Sequence, residues 1–136
     1  MRLRLVFLVL CLTPAASGAQ TFTTVDEVKP ILTATQASWV SVRSWQGQDL
    51  LYFTQIESWR CGLREIRYSV NGETEATKAM EPCYTDAPSP NAFQDANHLP
   101  YIAFPGGSIE RISVRITYAD GSSADAVFNR SDVELR

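Results

Sequence analysis

Histidine is almost missing from this chain. His98 is the only one in 136 residues, and that scarcity removes most imidazole chemistry at once. A zinc site draws three or four protein ligands, and one histidine without spare thiolates is poor stock for it. A Ser-His-Asp arrangement would have to use His98 on its proline-flanked run, Asn97-His98-Leu99-Pro100, and no Gly-x-Ser-x-Gly elbow accompanies it. A glycine-rich phosphate loop is also lacking. Gly106-Gly107 follows Pro105 and precedes a strand-like run, so it reads as a turn. No Cys-x-x-Cys pair is present, which argues against a redox-active dithiol. Internal repeats, heptads and low-complexity tracts are absent.

Positive charge is scarce too. Twelve Lys and Arg face fifteen Asp and Glu. A nucleic-acid binder needs a basic footprint, and an anionic membrane surface attracts polybasic segments; neither partner is expected here. Long apolar runs are lacking as well. The longest, Leu5 to Leu12, is well short of the roughly 20 residues of a spanning helix.

That short run belongs to a different pattern. Met1-Arg2-Leu3-Arg4 is basic, the apolar stretch ends at Thr13-Pro14, and Ser17 and Ala19 are small, which reads as a secretory signal cleaved after Ala19. Cys11 follows Leu10, too large a neighbour for a lipidated cysteine. Residues 1–19 are therefore a signal peptide and 20–136 a single exported β-rich domain, periplasmic in a Gram-negative bacterium or secreted. Cleavage removes Arg2, Arg4 and Cys11, leaving a net charge near −5 and two cysteines, Cys61 and Cys83. No membrane span is expected after cleavage.

The two cysteines stand symmetrically about Gly72 of an Asn71-Gly72 turn, the strongest short hairpin signal. In an oxidising compartment they should close the open end of that hairpin as a structural disulfide. A three-residue loop, Asn71 to Glu73, would oppose Cys61 to Cys83 directly; a two-residue loop would leave them one residue out of register. The immunoglobulin pattern does not apply, because it needs a tryptophan between widely spaced cysteines and Trp59 precedes both.

Elsewhere periodicity sets the elements. Thr24 and Glu27 have capping-box spacing, and Val28, Ile31, Leu32 and Thr35 share a helical face. Pro30 predicts a helix start near Asp26 or Glu27, so that the proline falls in the first turn, and an end near Ala37. Trp39 to Arg43 alternates as a strand. Gln46 to Asp49 reads as a turn. Leu50 to Ser58 reads as one central strand with apolar residues on both faces. Ile66, Tyr68 and Val70 should face inward. Glu73 to Ala79 suits a polar edge strand, and Tyr101 to Phe104 a short buried one.

In the last hairpin, a three-residue loop Ala119-Asp120-Gly121 pairs Ile116 with Ala124, Val114 with Ala126 and Ile112 with Phe128. A two-residue loop would instead put Asp125 on the apolar face, so the longer one is preferred. Val133 to Leu135 suggests a final short strand. The sum is a mainly β fold, a small β-sandwich or partly open barrel of about seven or eight short antiparallel strands with one N-terminal helix.

Function is less legible. Pro82 to Pro100 is a long irregular stretch, and such loops are often functional; its proline pair, Pro88 and Pro90, is too short for a polyproline ligand. With the tryptophans it supplies the candidate binding surface: Trp45, Trp59, Tyr84, Asn91, Phe93 and His98. An exposed tryptophan near amide side chains can stack on a sugar or anchor a protein. The leading expectation is a non-enzymatic binding or interaction module for a protein or glycan of the cell envelope, with no catalytic residues, no metal and no cofactor. A small hydrolase using Glu57 or His98, of the kind that acts on carbohydrate, is the competing class. It requires those two side chains to converge in one concave pocket, against a reading of Glu57 as solvated or paired with Arg60 and of His98 as a solvated loop residue. A structural role in an envelope assembly, by strand addition at Glu73–Ala79, is the third.

Overall fold

The structure is a computed structural model that describes Cys11 and residues 21–136. The expected signal, Met1–Ala19, lies outside the described residues except for Cys11, which is exposed and carries no disulfide. Burial of alternating apolar positions drives the chain into seven antiparallel strands: β1 (Ser41–Trp45), β2 (Gln48–Tyr52), β3 (Leu63–Val70), β4 (Ala76–Thr77), β5 (Tyr101–Pro105), β6 (Arg111–Tyr118) and β7 (Ser123–Asn129). They form two sheets, ordered β1-β2-β5 and β4-β3-β6-β7. One core receives Val42, Leu51 and Phe53 from the first sheet side and Ile66, Ile112, Val114 and Ile116 from the second. The mainly β expectation holds. Among the described residues, no helix is long and apolar enough to cross a membrane.

Helix α1 (Val25–Ala34) starts earlier than Pro30 predicts. The capping box decides the start: the Glu27 amide donates to Thr24 Oγ1 at 3.3 Å and the Thr24 hydroxyl donates to Glu27 Oε1 at 2.9 Å. Pro30 then lies inside the helix on its exposed side, where water can satisfy the carbonyl that loses its partner. Val28 and Leu32 are buried, and a short 3₁₀ turn (Gln36–Ser38) leads to Trp39, whose indole N–H donates to the Leu32 carbonyl at 2.8 Å.

Gly62 lets α1 settle on the start of β3. A Cβ there would lie 2.6 Å from Val28 Cβ, and a β-branched helical side chain cannot swing away. Gly62→Ala is expected to cost about 1–3 kcal/mol by overpacking, read as a lower denaturant midpoint; an unchanged midpoint would mean that α1 does not press on this site.

The last hairpin adopts the register expected from its apolar face, Ile116↔Ala124, Val114↔Ala126 and Ile112↔Phe128, with Gly121 at φ 87°. At the first hairpin, Asn71 and Gly72 both have positive φ, and the Glu73 amide closes the turn on the Val70 carbonyl at 3.1 Å. The ladder beyond it follows Arg67↔Thr77 and Tyr68↔Ala76, and that register, extended, sets Cys61 against Cys83. The disulfide is formed, with the two Cα atoms 4.9 Å apart.

Several expectations are corrected. The strand expected over Leu50 to Ser58 stops at Tyr52, and Thr54–Glu57 forms a one-turn helix, α2, because Phe53, Ile56 and Glu57 are buried at helical spacing. β2 is nonetheless the central strand of its sheet. β5 lies at the edge of that sheet and is only partly buried. The final strand reduces to a single parallel bridge, Val42↔Glu134, after a short helix α3 (Arg130–Val133).

Asp49 is not in a turn. The turn is Gln46-Gly47 alone, and Asp49 is a buried residue of β2. Its carboxylate receives both terminal nitrogens of Arg130, from α3, and the Ile109 amide at 3.1 Å. This fork ties the first sheet to the end of β7. The Arg130 bonds hold the Asp49 carboxyl well below the usual carboxylate range, with the Gly107 and Ile109 amides helping against the cost of burial. Asp49 therefore contributes stability that is complete above its unfolded pKa of about 4 and fades only as pH falls toward its lower folded value. Between pH 7 and 4 the ion pair should hold. Below that, Asp49→Asn should flatten the acid side of the stability profile, measured by urea unfolding at stepped pH; an unaltered acid slope would exclude this assignment.

Candidate functional site: a loop held by buried charges

Sequence leads to the segment between Cys83 and Pro100, and the structure shows why it is ordered. Although its backbone is irregular, three buried charged side chains from outside it bond to its amides and carbonyls, and one half-buried amide within it reaches out to neighbouring backbone. The first is Arg60, on the short 3₁₀ turn before β3 and only 3% exposed. Its guanidinium donates to the carbonyls of Pro82 at 3.0 Å and Ala92 at 2.9 Å, and also to that of Asn91. It lies over the rings of Tyr84 and Phe93, 5.5 and 5.2 Å from their centroids.

The second is Glu81, whose Oε1 accepts from the Gln94 and Asp95 amides and the Tyr84 hydroxyl, each at 2.8 Å. Burial pushes the Glu81 carboxyl up, but those two amides and the Tyr84 hydroxyl outweigh it and leave it below its ordinary value. The same bond raises the Tyr84 phenol.

Asn91 is the third. Its Oδ1 accepts from the Cys61 amide at 2.8 Å, and its Nδ2 donates to the Phe22 carbonyl at 2.9 Å, so it joins the loop to the disulfide and to the segment leading into α1.

Lys78 is the fourth. Directly after β4 it turns inward, and its ammonium donates to Glu57 Oε1 at 3.0 Å, to the Leu99 carbonyl at 3.1 Å and to the Ala79 carbonyl at 2.6 Å. All three of its N–H groups are used. Glu57, on α2 and fully buried, also meets His98 Nε2 at 2.9 Å.

His98 is thus not solvated: its side chain is 11% exposed and stacks on Phe93. Glu57 pairs with Lys78 and His98, while Arg60 reaches only its main-chain carbonyl. Glu57 and His98 converge, as a hydrolase would require, but neither lines the hollow at Tyr84–Gln94, the one beside Trp59 and Asn91, or the one bordered by Lys78 and Glu81. Glu57 Oε2 is buried without a hydrogen-bond partner among the described residues, while Oε1 is bonded to Lys78 and His98.

Of the surface residues expected from the sequence, Tyr84, Asn91 and Phe93 come together around Arg60, and His98 joins them by stacking on Phe93. Trp59 packs edge-on to Phe22 and borders a hollow of about 220 Å³ with Pro88, Pro90 and Asn91. Trp45 stands apart, at the end of β1 beside the Gln46-Gly47 turn, 47% exposed, with the Arg43 guanidinium 4.3 Å over its ring. A larger hollow of about 430 Å³ lies over the loop's first turn, lined by Tyr84, Thr85, Asp86 and Gln94. Phe93 and Leu99 are large apolar side chains left 42% and 55% exposed on this segment.

Sequence reasoning missed Arg60, Lys78 and Glu81 as the loop's anchors. A signal was there: charged residues flank both cysteines, Arg60 before Cys61 and Glu81 two positions before Cys83, where an edge strand would be expected to carry only solvated charges. No family model, no curated protein and no solved structure matches this chain.

Proposed function

We propose that the protein is an exported, non-enzymatic binding module, periplasmic or secreted, that recognises a protein or glycan partner of the cell envelope through the segment from Tyr84 to Leu99. The observation that carries this reading is the cost of ordering that segment. Three buried charged side chains, Arg60, Lys78 and Glu81, are spent on the backbone of a stretch that contributes little to the core, and Asn91 within it ties it to Cys61 and Phe22. Burying charge is expensive, and the outcome is an anchored surface with exposed Phe93 and Leu99 and a hollow lined by Tyr84, Thr85, Asp86 and Gln94. Pre-organised irregular segments on a β scaffold are favourable recognition surfaces, because little entropy is lost on binding. The disulfide supports an oxidising compartment.

A photo-crosslinking residue at position 93, in the chain from Gln20 onward, should give a discrete adduct in the organism's own envelope extract. Excess unlabelled protein should compete it away, and the same probe at exposed Thr33 should give none. Equal adducts at both positions, or none at 93, would overturn the reading.

The hydrolase remains a second reading because Glu57 and His98 are hydrogen-bonded. It requires Glu57 to react with a water-soluble carboxylate reagent in the native protein; the binding-module reading requires Glu57 to stay unlabelled until the chain unfolds.

A further inference from the structure

A sheet edge exposes unpaired backbone groups that can template another strand, and folded proteins blunt such edges by shortness, proline, lysine or a covering segment. Three of the four edges here are blunted. β1 is covered by the C-terminal segment, with the Leu135 amide bonded to the Val42 carbonyl at 2.8 Å. β4 is only two residues long, which also leaves little for strand addition at Glu73–Ala79. β5 is short and ends in Pro105.

β7 is different. It runs for seven residues in unbroken register with β6 and contains neither proline nor lysine. The Tyr118 amide bonds to the Ser122 carbonyl and the Arg130 amide to the Glu110 carbonyl. By antiparallel alternation, Ala124, Ala126 and Phe128 then bond inward to β6, and Ser123, Asp125, Val127 and Asn129 turn their N–H and C=O groups outward. The Gln36 amide donating to the Asp125 carbonyl at 3.1 Å fits that assignment, and this exposed side chain must share or release that carbonyl when a second strand pairs there. Val127 is 54% exposed on the outer face, and on the inner side a hollow of about 400 Å³, lined by Gln36, Ala37, Ala126 and Phe128, flanks the edge.

We infer that β7 is the seam of a two-fold dimer, in which the β7 strands of two copies of this chain pair antiparallel with the axis at Val127. Across such a seam the outward-bonding residues oppose one another at the hydrogen-bonded pairs and the inward-bonding residues at the pairs between them, so an axis at Ala126 is also allowed, but it would set each Val127 against Asp125 of the other copy and leave the valines apart. With the axis at Val127, each valine faces its counterpart, and each Asp125 faces Asn129 of the other copy, so the exposed valines are buried together and no like charges meet. With the axis at Asp125, two carboxylates would be opposed, which destabilises a cross-strand pair. Asp125 already has a cation, since Arg115 Nε bonds to it at 2.7 Å on the same face, and the Asn129 amide can join that pair without displacing it. The occupant is a second copy because β7 is complementary to itself in this register. In each copy β7 and β4 are opposite edges of the four-stranded sheet, and Lys78, which holds the recognition segment at Leu99, directly follows β4.

A strand seam covers less surface than a standard interface, so the dimer depends on concentration. Sedimentation of the chain from Gln20 onward, raised to about 1 mM so that a millimolar dissociation constant registers, should show a monomer–dimer equilibrium. Val127→Lys, at an exposed position that tolerates the change, should keep the melting temperature and sediment as a monomer throughout. Val127→Cys should cross-link two copies through one new disulfide on mild oxidation, whereas Thr33→Cys should not. A wild-type chain that stays monomeric, a Val127→Lys dimer, or equal cross-linking at both cysteines would overturn the inference.

Discussion

Lys78→Met is expected to cost about 3–5 kcal/mol, the range for removing one partner of a buried ion pair. Glu57 is fully buried, and among the described residues its carboxylate is bonded only to Lys78 and His98. The variant strands the carboxylate and also frees the Ala79 and Leu99 carbonyls. Because such a chain could fail to fold, the informative experiment is a double-mutant cycle with Glu57→Gln. Neutralising the carboxylate removes the stranded charge, so the double variant should be more stable than the sum of the single losses implies, by about 1–3 kcal/mol. Additive losses, measured by urea unfolding at pH 7, would mean that the pair does not interact as described.

The second large effect belongs to the disulfide. Replacing Cys61 and Cys83 together by serine should cost roughly 3 kcal/mol, the chain-entropy value for a loop of this size; the two cysteines are 22 residues apart. For a domain of about this length that lowers the melting temperature by roughly 10 °C. The loss should not be uniform. Cys61 donates its amide to Asn91, and Cys83 leads straight into Tyr84, so the segment beyond Cys83 should loosen before the strands do. A melting temperature within a degree or two of the wild type, or two free thiols in the oxidised protein, would remove the bridge from the account.

The staple itself was readable from spacing about Gly72, as was the register of the last hairpin, because one apolar face admits only one pairing of Ile116, Val114 and Ile112. Both are local consequences of period-two burial. The early helix was readable too, except that Pro30 was given more weight than the Thr24–Glu27 box; a proline on the solvent side costs less than the missing hydrogen bond suggests.

What could not be read was non-local. Asp49 looks like a turn residue until Arg130 arrives from α3, far along the chain, and Lys78 looks like a solvated edge residue until Glu57 and Leu99 are beside it. Buried charges follow no periodicity; they are placed by partners distant in sequence. The candidate surface was half legible for the same reason. Composition pointed to the loop and its aromatics, but not to Arg60 and Glu81 as the groups that order it, nor to the separation of Trp45 from the rest.

The central claim is that Pro82–Pro100 is a rigid surface and not a slack connection. Amide hydrogen exchange tests it most directly, at Tyr84, Ala92, Gln94 and Asp95, whose N–H groups are bonded to Pro90, Ser89 and Glu81. The account predicts that these four amides are protected in the wild-type protein and that Glu81→Gln selectively speeds exchange at Gln94 and Asp95. Exchange at the rate of an unstructured chain in the wild type, while β3 and β6 remain protected, would contradict it.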